Sequence, residues 1–185
     1  MGKIHKGATL SPHFREFLPA WVEGQAWYEG PGGLRPTGFL RFEDPAGEVG
    51  METHLLHDGQ AVYQVPLTYR PAPLDGGTLV TTAEHSVLGT RWIYDAVTDP
   101  VWTAVLLDLV ATGGVSESAA RTGFGPAEAR GTLIRRFVPE AAVIDLDRRL
   151  VPQDPPGDAA AVVTGSWHQD GVPAQGRLAV VRTTA

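Results

Sequence analysis

Arg91-Trp92-Ile93-Tyr94-Asp95-Ala96-Val97-Thr98-Asp99-Pro100 decides the reading of this chain, because it sets a cation, two aromatic rings and two carboxylates directly ahead of an apolar helix. Asp99-Pro100 is an N-cap residue followed by proline at the first helical position, where a missing N–H costs nothing. Behind it Val101, Trp102, Val105, Leu106, Leu109 and Val110 recur as a wide apolar stripe, which Gly113-Gly114 ends. A helix that apolar has to be covered, and the concave face of a neighbouring twisted sheet is the partner the sequence offers.

The strands for that sheet lie upstream. Residues 34–43, 48–56, 61–69 and 79–87 read as β-type runs, and Asp44-Pro45-Ala46-Gly47 and Asp58-Gly59 are hairpin breakers between them. An antiparallel meander is expected, with a looser link over residues 71–77 that can border a site. Ahead of it, Ser11-Pro12 reads as N-cap and first helical position for a short helix carrying Phe14, Phe17, Leu18 and Trp21, disturbed by Pro19. Downstream, residues 116–121 and 126–137 are weak helix candidates, with glycines at 123, 125 and 131 against them. Residues 143–150, 161–169 and 176–183 read as strands, and 151–159 as a link. The expected class is α+β, an antiparallel sheet packed on an apolar helix. Residues 1–112 form its helix-plus-meander core, and residues 113–185 form a C-terminal extension with further strands in the same domain.

A length of 185 residues suits one hydrophobic core. A hydrophobic fraction of 43% and a charged fraction of 19% are ordinary for a globular protein, and no apolar run approaches the roughly 20 residues of a membrane span. The net charge of −6 and the lack of a basic stripe argue against nucleic acid and anionic membranes as partners. With 0 cysteines, a disulfide framework, a thiolate zinc site and a cysteine nucleophile are excluded. The N-terminus has two lysines but no apolar segment of a secretion signal behind them, so a cytoplasmic setting is expected.

Three aromatic and polar clusters stand out: Trp21, Gln25, Trp27 and Tyr28; Tyr63, Gln64, Tyr69 and Arg70; and Arg91, Trp92, Tyr94 and Asp95. Sugar sites use such mixtures, since a ring covers the apolar face of a pyranose while amide, carboxylate and guanidinium groups take its hydroxyls. The competing reading makes the indoles core anchors, with polar neighbours satisfying buried N–H and O–H groups. Strand alternation puts Glu52 and His54 on one face and His57 on the other, which argues against a shared metal. It likewise parts His85 from Glu84 and Ser86, and no nucleophile elbow is present, so no catalytic residue is assigned. Residues 123–128 resemble half a dinucleotide fingerprint but lack its third glycine, and no phosphate-cradling loop occurs, so no cofactor is expected. Candidates for contact with a ligand or partner are Trp21, Gln25, Trp27, Tyr28, Gln64, Glu84, His85, Arg91, Trp92, Tyr94 and Asp95.

Gln25-Ala26-Trp27-Tyr28-Glu29-Gly30, Tyr63-Gln64-Val65, and Tyr94-Asp95-Ala96 with Asp99-Pro100 together resemble the N-terminal cap domain of the maltokinase family, sugar kinases of the trehalose-to-glycogen route. The resemblance spans roughly residues 10–112. It implies a cystatin-like fold, a helix against an antiparallel sheet, and a tie to sugar or glucan metabolism. The kinase lobes and their His-Gly-Asp segment have no counterpart in these residues, so kinase activity is not implied. The expected role is a non-catalytic module that binds a sugar kinase, a glucan enzyme or a carbohydrate, with contiguous exposed Trp21, Trp27 and Trp92 as the sign of a protein partner. The alternative is a small-ligand binder or small enzyme with Glu52, His54, Glu84, Tyr94 and Asp95 lining a pocket between sheet and helix.

Overall fold

The computed structural model describes residue 5, residues 7–118 and residues 127–184. In chain order these form β1 (Leu10–Ser11), α1 (Phe14–Glu23), β2 (Arg35–Phe42), β3 (Gly50–His57), β4 (Val62–Arg70), β5 (Leu79–His85), β6 (Gly89–Asp95), α2 (Pro100–Thr112), β7 (Glu117–Ser118), β8 (Glu128–Leu133), β9 (Ala142–Leu146), β10 (Arg149–Leu150), β11 (Ala161–Gln169) and β12 (Val172–Thr183). The class is α+β. One sheet runs β1-β5-β6-β4-β3-β2-β7, with β10 added beside β4, and a second runs β8-β11-β12-β9, with neighbouring strands antiparallel throughout.

The first sheet is the middle layer. Period-2 alternation divides its side chains, so that Leu40, Phe42, Met51, Leu55 and Val62 face Trp102, Leu106 and Val110 of α2 and the inner residues Ala161, Val163, Ala179 and Val181 of the second sheet. Leu56, Tyr63, Val65, Leu67, Ala83 and Ile93 face the other way, against Leu18 and Val22 of α1. The apolar helix read from the sequence is therefore covered from two sides, by both sheets.

Helix α2 begins and ends as its sequence dictates. The Asp99 side chain accepts from Val101 N, Pro100 opens the first turn, and Gly113 closes the helix in the left-handed region at φ 64°. Helix α1 starts later than expected: His13 is its N-cap, and Ser11 instead pairs with Glu84 in β1. Pro19 stays inside the helix. Two further expectations are corrected. Residues 91–95, read as a polar approach to α2, are strand β6, whose Ile93 and Tyr94 are buried. The weak helix over residues 126–137 is strand β8 instead, and the one over 116–121 begins as β7, with the rest of it outside the described residues. Gly131 explains the first of these: an added Cβ there would stand 2.3 Å from the Leu109 carbonyl oxygen, so only glycine lets an extended β8 lie against the last turn of α2. The partial fingerprint at residues 123–128 falls mainly outside the described residues.

Candidate functional site

A cleft of about 780 Å³ opens on the α1 side of the first sheet. Its floor is Arg41 of β2, Glu52 of β3, Tyr69 of β4 and Arg91 of β6, and its walls include His13 and Phe14 at the start of α1, the turn from Glu43 to Val49, and His85 and Leu88 at the β5–β6 turn. The segment before α1, with Thr9 and Leu10, forms another part of its wall. Register builds the floor: Arg41 pairs with Glu52, and Gly50 pairs with Tyr69, so these side chains project to one face.

Behind the floor sits a hydrogen-bonded group. His54 is 2% exposed, and its Nε2 lies 3.2 Å from the Tyr69 hydroxyl and 3.4 Å from Glu52 Oε2. Phe14 lies on the His54 ring with centroids 4.5 Å apart. Burial opposes ionisation of Glu52, but the His54 imidazole and the nearby Arg41 guanidinium prevail, and its pKa falls below the ordinary carboxylate value. Burial, reinforced by the Glu52 charge, pushes the Tyr69 hydroxyl well above its ordinary value, so it remains a neutral donor. The Nε atoms of Arg41 and Arg91 are buried with no hydrogen-bond partner among the described residues. Buried donors of that kind call for an acceptor.

The rim turn is held from within. Asp44 accepts from Ala46 N at 3.0 Å and from Glu48 N and Val49 N at 2.9 Å each. Burial works against its charge, yet those three backbone donors hold its pKa below the usual range. Asp44 is thus consumed by the turn, while Arg41 stands beside Glu52 in register and 4.0 Å from Glu43, and Arg91 donates to the Leu88 carbonyl at 2.5 Å.

Of the residues singled out as contact candidates, the fold brings His85 and Arg91 to this cleft and the others elsewhere; Glu52 and Tyr69, also singled out from sequence, line it, with His54 behind them. Trp21 and Trp27 lie half-buried against each other at 6.2 Å, and Tyr28 meets Tyr63 edge-on at 5.0 Å. Gln25 donates to the Trp21 carbonyl at 3.0 Å. Trp92 pairs with Arg70 and Thr82 on the opposite face from Ile93, so the three indoles do not form one patch. Gln64 donates to the carbonyls of Asp147 at 2.8 Å and Leu178 at 2.5 Å, tying the two sheets. Tyr94 accepts at its hydroxyl from Leu74 N at 2.8 Å. Glu84 accepts from the Thr90 hydroxyl at 2.5 Å. Asp95 is ion-paired with Arg148, whose guanidinium lies 4.9 Å from the Trp27 ring; burial outweighs that pairing and raises the Asp95 pKa. Sequence reasoning put Glu52 and His54 on one face but did not reach Arg41, His13 or Phe14. The first of these was accessible through the Asp44–Gly47 hairpin, which fixes Arg41 opposite Glu52.

The family model for the maltokinase N-terminal cap domain matches residues 21–99, within the span that resembles that cap in sequence. The match runs from the last turn of α1 to the N-cap of α2. It includes Arg41, Glu52, Tyr69 and Arg91 but not the His13 and Phe14 wall, and neither α2 nor the second sheet. No curated protein matches the chain.

Proposed function

We propose, from a chain whose residues 21–99 match the maltokinase N-terminal cap, that this protein is a non-catalytic cap-type module of sugar or glucan metabolism that binds an uncharged carbohydrate in the cleft of Arg41, Glu52, Tyr69 and Arg91. The observation that carries the reading is the composition of that cleft. Two guanidiniums, Arg41 and Arg91, and the carboxylates of Glu43 and Glu52 line it, with the Phe14 and Tyr69 rings beside them. A balanced set of donors and acceptors next to aromatic rings suits hydroxyl-rich, neutral rings better than a phosphate or an ammonium ion. The volume of about 780 Å³ falls in the range of small-molecule sites.

A binding role is favoured over catalysis by the same chemistry. A general base works best with a pKa near the working pH, and Glu52 is moved the other way. A helix on an antiparallel sheet supports a cystatin-like relationship for the core, and the shared apolar cluster of α2, the first sheet and residues 127–181 supports treating residues 113–185 as part of the same domain. Among the described residues no helix is long and apolar enough to cross a membrane. A cytoplasmic setting and a sugar kinase or glucan enzyme as partner follow from the cap resemblance.

The reading is tested by calorimetric titration with maltose, trehalose, glucose and glucose 1-phosphate. A neutral sugar is expected to bind, and Glu52→Gln to weaken it about tenfold or more, as loss of a charged hydrogen-bond acceptor does. Binding of the phosphate ester alone, or of none of the four, would sink the proposal.

A further inference from the structure

The segment that walls the cleft ahead of α1 is lightly attached. Residues 7–11 meet the sheet through the two-residue pairing of β1 with β5, through Thr9 N donating to Ser86 Oγ at 2.9 Å and through Ser86 N donating to the Thr9 carbonyl at 3.0 Å. Leu10 also packs at the edge of the α1-side core. An edge strand of two residues is a minimal anchorage.

Two imidazoles acting as acceptors flank this segment. At the sheet end, His85 pairs with Leu10 in register, and its Nδ1 accepts from Val87 N at 3.2 Å and Leu88 N at 3.1 Å. These bonds shape the turn that presents Ser86 to Thr9. At the helix end, His13 Nδ1 accepts from Arg15 N at 3.3 Å and caps α1, while Glu16 Oε1 accepts from His13 N at 3.1 Å. Backbone N–H groups only donate, so both Nδ1 atoms must be unprotonated. An imidazolium carries hydrogen on both nitrogens and would face those donors with a donor of its own.

We propose that residues 7–11 are an acid-released strap along the wall of the cleft, latched beside Leu10 by His85 and at the entry to α1 by His13. The surroundings oppose protonation at both latches. Burial, then the neighbouring His5 ring at 5.8 Å and the Arg91 guanidinium, lower the His85 pKa; a hydrogen bond with its own backbone and then the Glu52 charge pull the other way without reversing the shift, and Glu84 sits on the opposite face of β5 with Thr90. Burial and Arg15 lower the His13 pKa with a contribution from His54, against Glu16 and Glu52. A histidine whose pKa is depressed in the closed state holds that state above the ordinary imidazole value near 6.5 and releases it as pH falls through the depressed value. That wall of the cleft is therefore held at neutral pH and loosened under mild acid.

Amide hydrogen exchange, corrected for intrinsic pH dependence, reads this without any ligand and so stands or falls apart from the carbohydrate reading. From pH 7.5 to 5.5 the wild-type amides of Thr9, Ser86, Val87 and Leu88 are expected to exchange about tenfold faster. In the double variant His13→Asn/His85→Asn, whose side-chain oxygens accept without titrating, the rise should stay below about twofold. An unchanged rise in that variant, or no rise in the wild type, overturns the strap. If the double variant is unprotected already at pH 7.5, His85→Asn alone decides: a rise equal to the wild type's in Ser86, Val87 and Leu88 overturns the latch.

Discussion

Asp99 is the residue through which α2 is fastened to the first sheet, and replacing it separates two contributions. Its side chain is fully buried, caps α2 through Val101 N at 2.9 Å, and takes a two-pronged contact from Arg70 of β4 at 2.6 and 2.7 Å. Asp99→Asn keeps a cap acceptor but gives up the ion pair; Asp99→Ala gives up both. Removing an N-cap costs about 1 kcal/mol, and removing one partner of a buried pair about 3–5 kcal/mol. Arg70 is 18% exposed and can reach water, so the lower end applies, giving about 2–3 kcal/mol for Asn and 3–4 kcal/mol for Ala. Urea unfolding at pH 7 measures both. The cost must also vanish in acid. Burial raises and the Arg70 contact lowers the Asp99 pKa, with the net shift downward, so its stabilisation is complete above the ordinary carboxylate value near 3.8 and is lost as pH falls through the lower folded value. The Asn variant has no such titration, so its deficit should shrink below pH 3.8. A deficit under about 1 kcal/mol for Ala at pH 7, or one that does not change with acid, would refute the assignment of Asp99 as a charged anchor.

Two other substitutions probe the packing around α2. Trp102 is 3% exposed within the core shared by both sheets, and Trp102→Ala should cost about 3–5 kcal/mol in the same unfolding assay; near-unchanged stability would mean that the helix is not packed as described. Gly131→Ala should cost at least about 2 kcal/mol, because the new methyl meets backbone at Leu109 that cannot rotate aside; a neutral result would place β8 farther from α2.

The legible parts of this fold were those in which one local rule spoke without competition. Helix α2 has a cap, a proline, an apolar stripe and a terminal glycine in sequence order, and β2 to β5 have alternating runs between turn residues. Strand β6 was hidden because Trp92, Ile93 and Tyr94 present three aromatic or apolar residues in a row beside charges, a pattern without alternation; Trp92 and Tyr94 pack on one face and Ile93 on the other. Strand β8 was hidden because Gly131, which weakens any helix there, has its cause in the Leu109 carbonyl across the fold. The site was half legible for a similar reason. Alternation within β3 joined Glu52 to His54, but the approach of Arg41, Tyr69 and Arg91 depends on register across four strands, and the approach of His13 and Phe14 on where α1 is docked.

The position of the cleft follows from the unequal covering of the two faces of the first sheet. One face is sealed by α2 and an entire second sheet, and its residues form a continuous apolar cluster. The other has α1 with Trp27, Tyr28 and Leu34 packed after it, and the 10 residues of the helix extend only about 15 Å, against strands of 8 or 9 residues that run nearly twice as far. Leu18 and Val22 therefore cover the part of that face holding Val65, Leu67 and Ile93, and the sequence is apolar there. Beyond the helix start the same strands carry Arg41, Glu52, Tyr69 and Arg91 on that face. A sheet surface left bare by its helix would be expected to show ordinary solvated polar residues. Here it retains a buried histidine, two guanidinium groups with unpartnered buried Nε atoms and a tyrosine held neutral, beside an edge strand of two residues. Burying polar groups at the one place where the layer above is missing is costly unless something else occupies that place, which is the physical ground for treating the cleft as a binding site and not as a packing remnant.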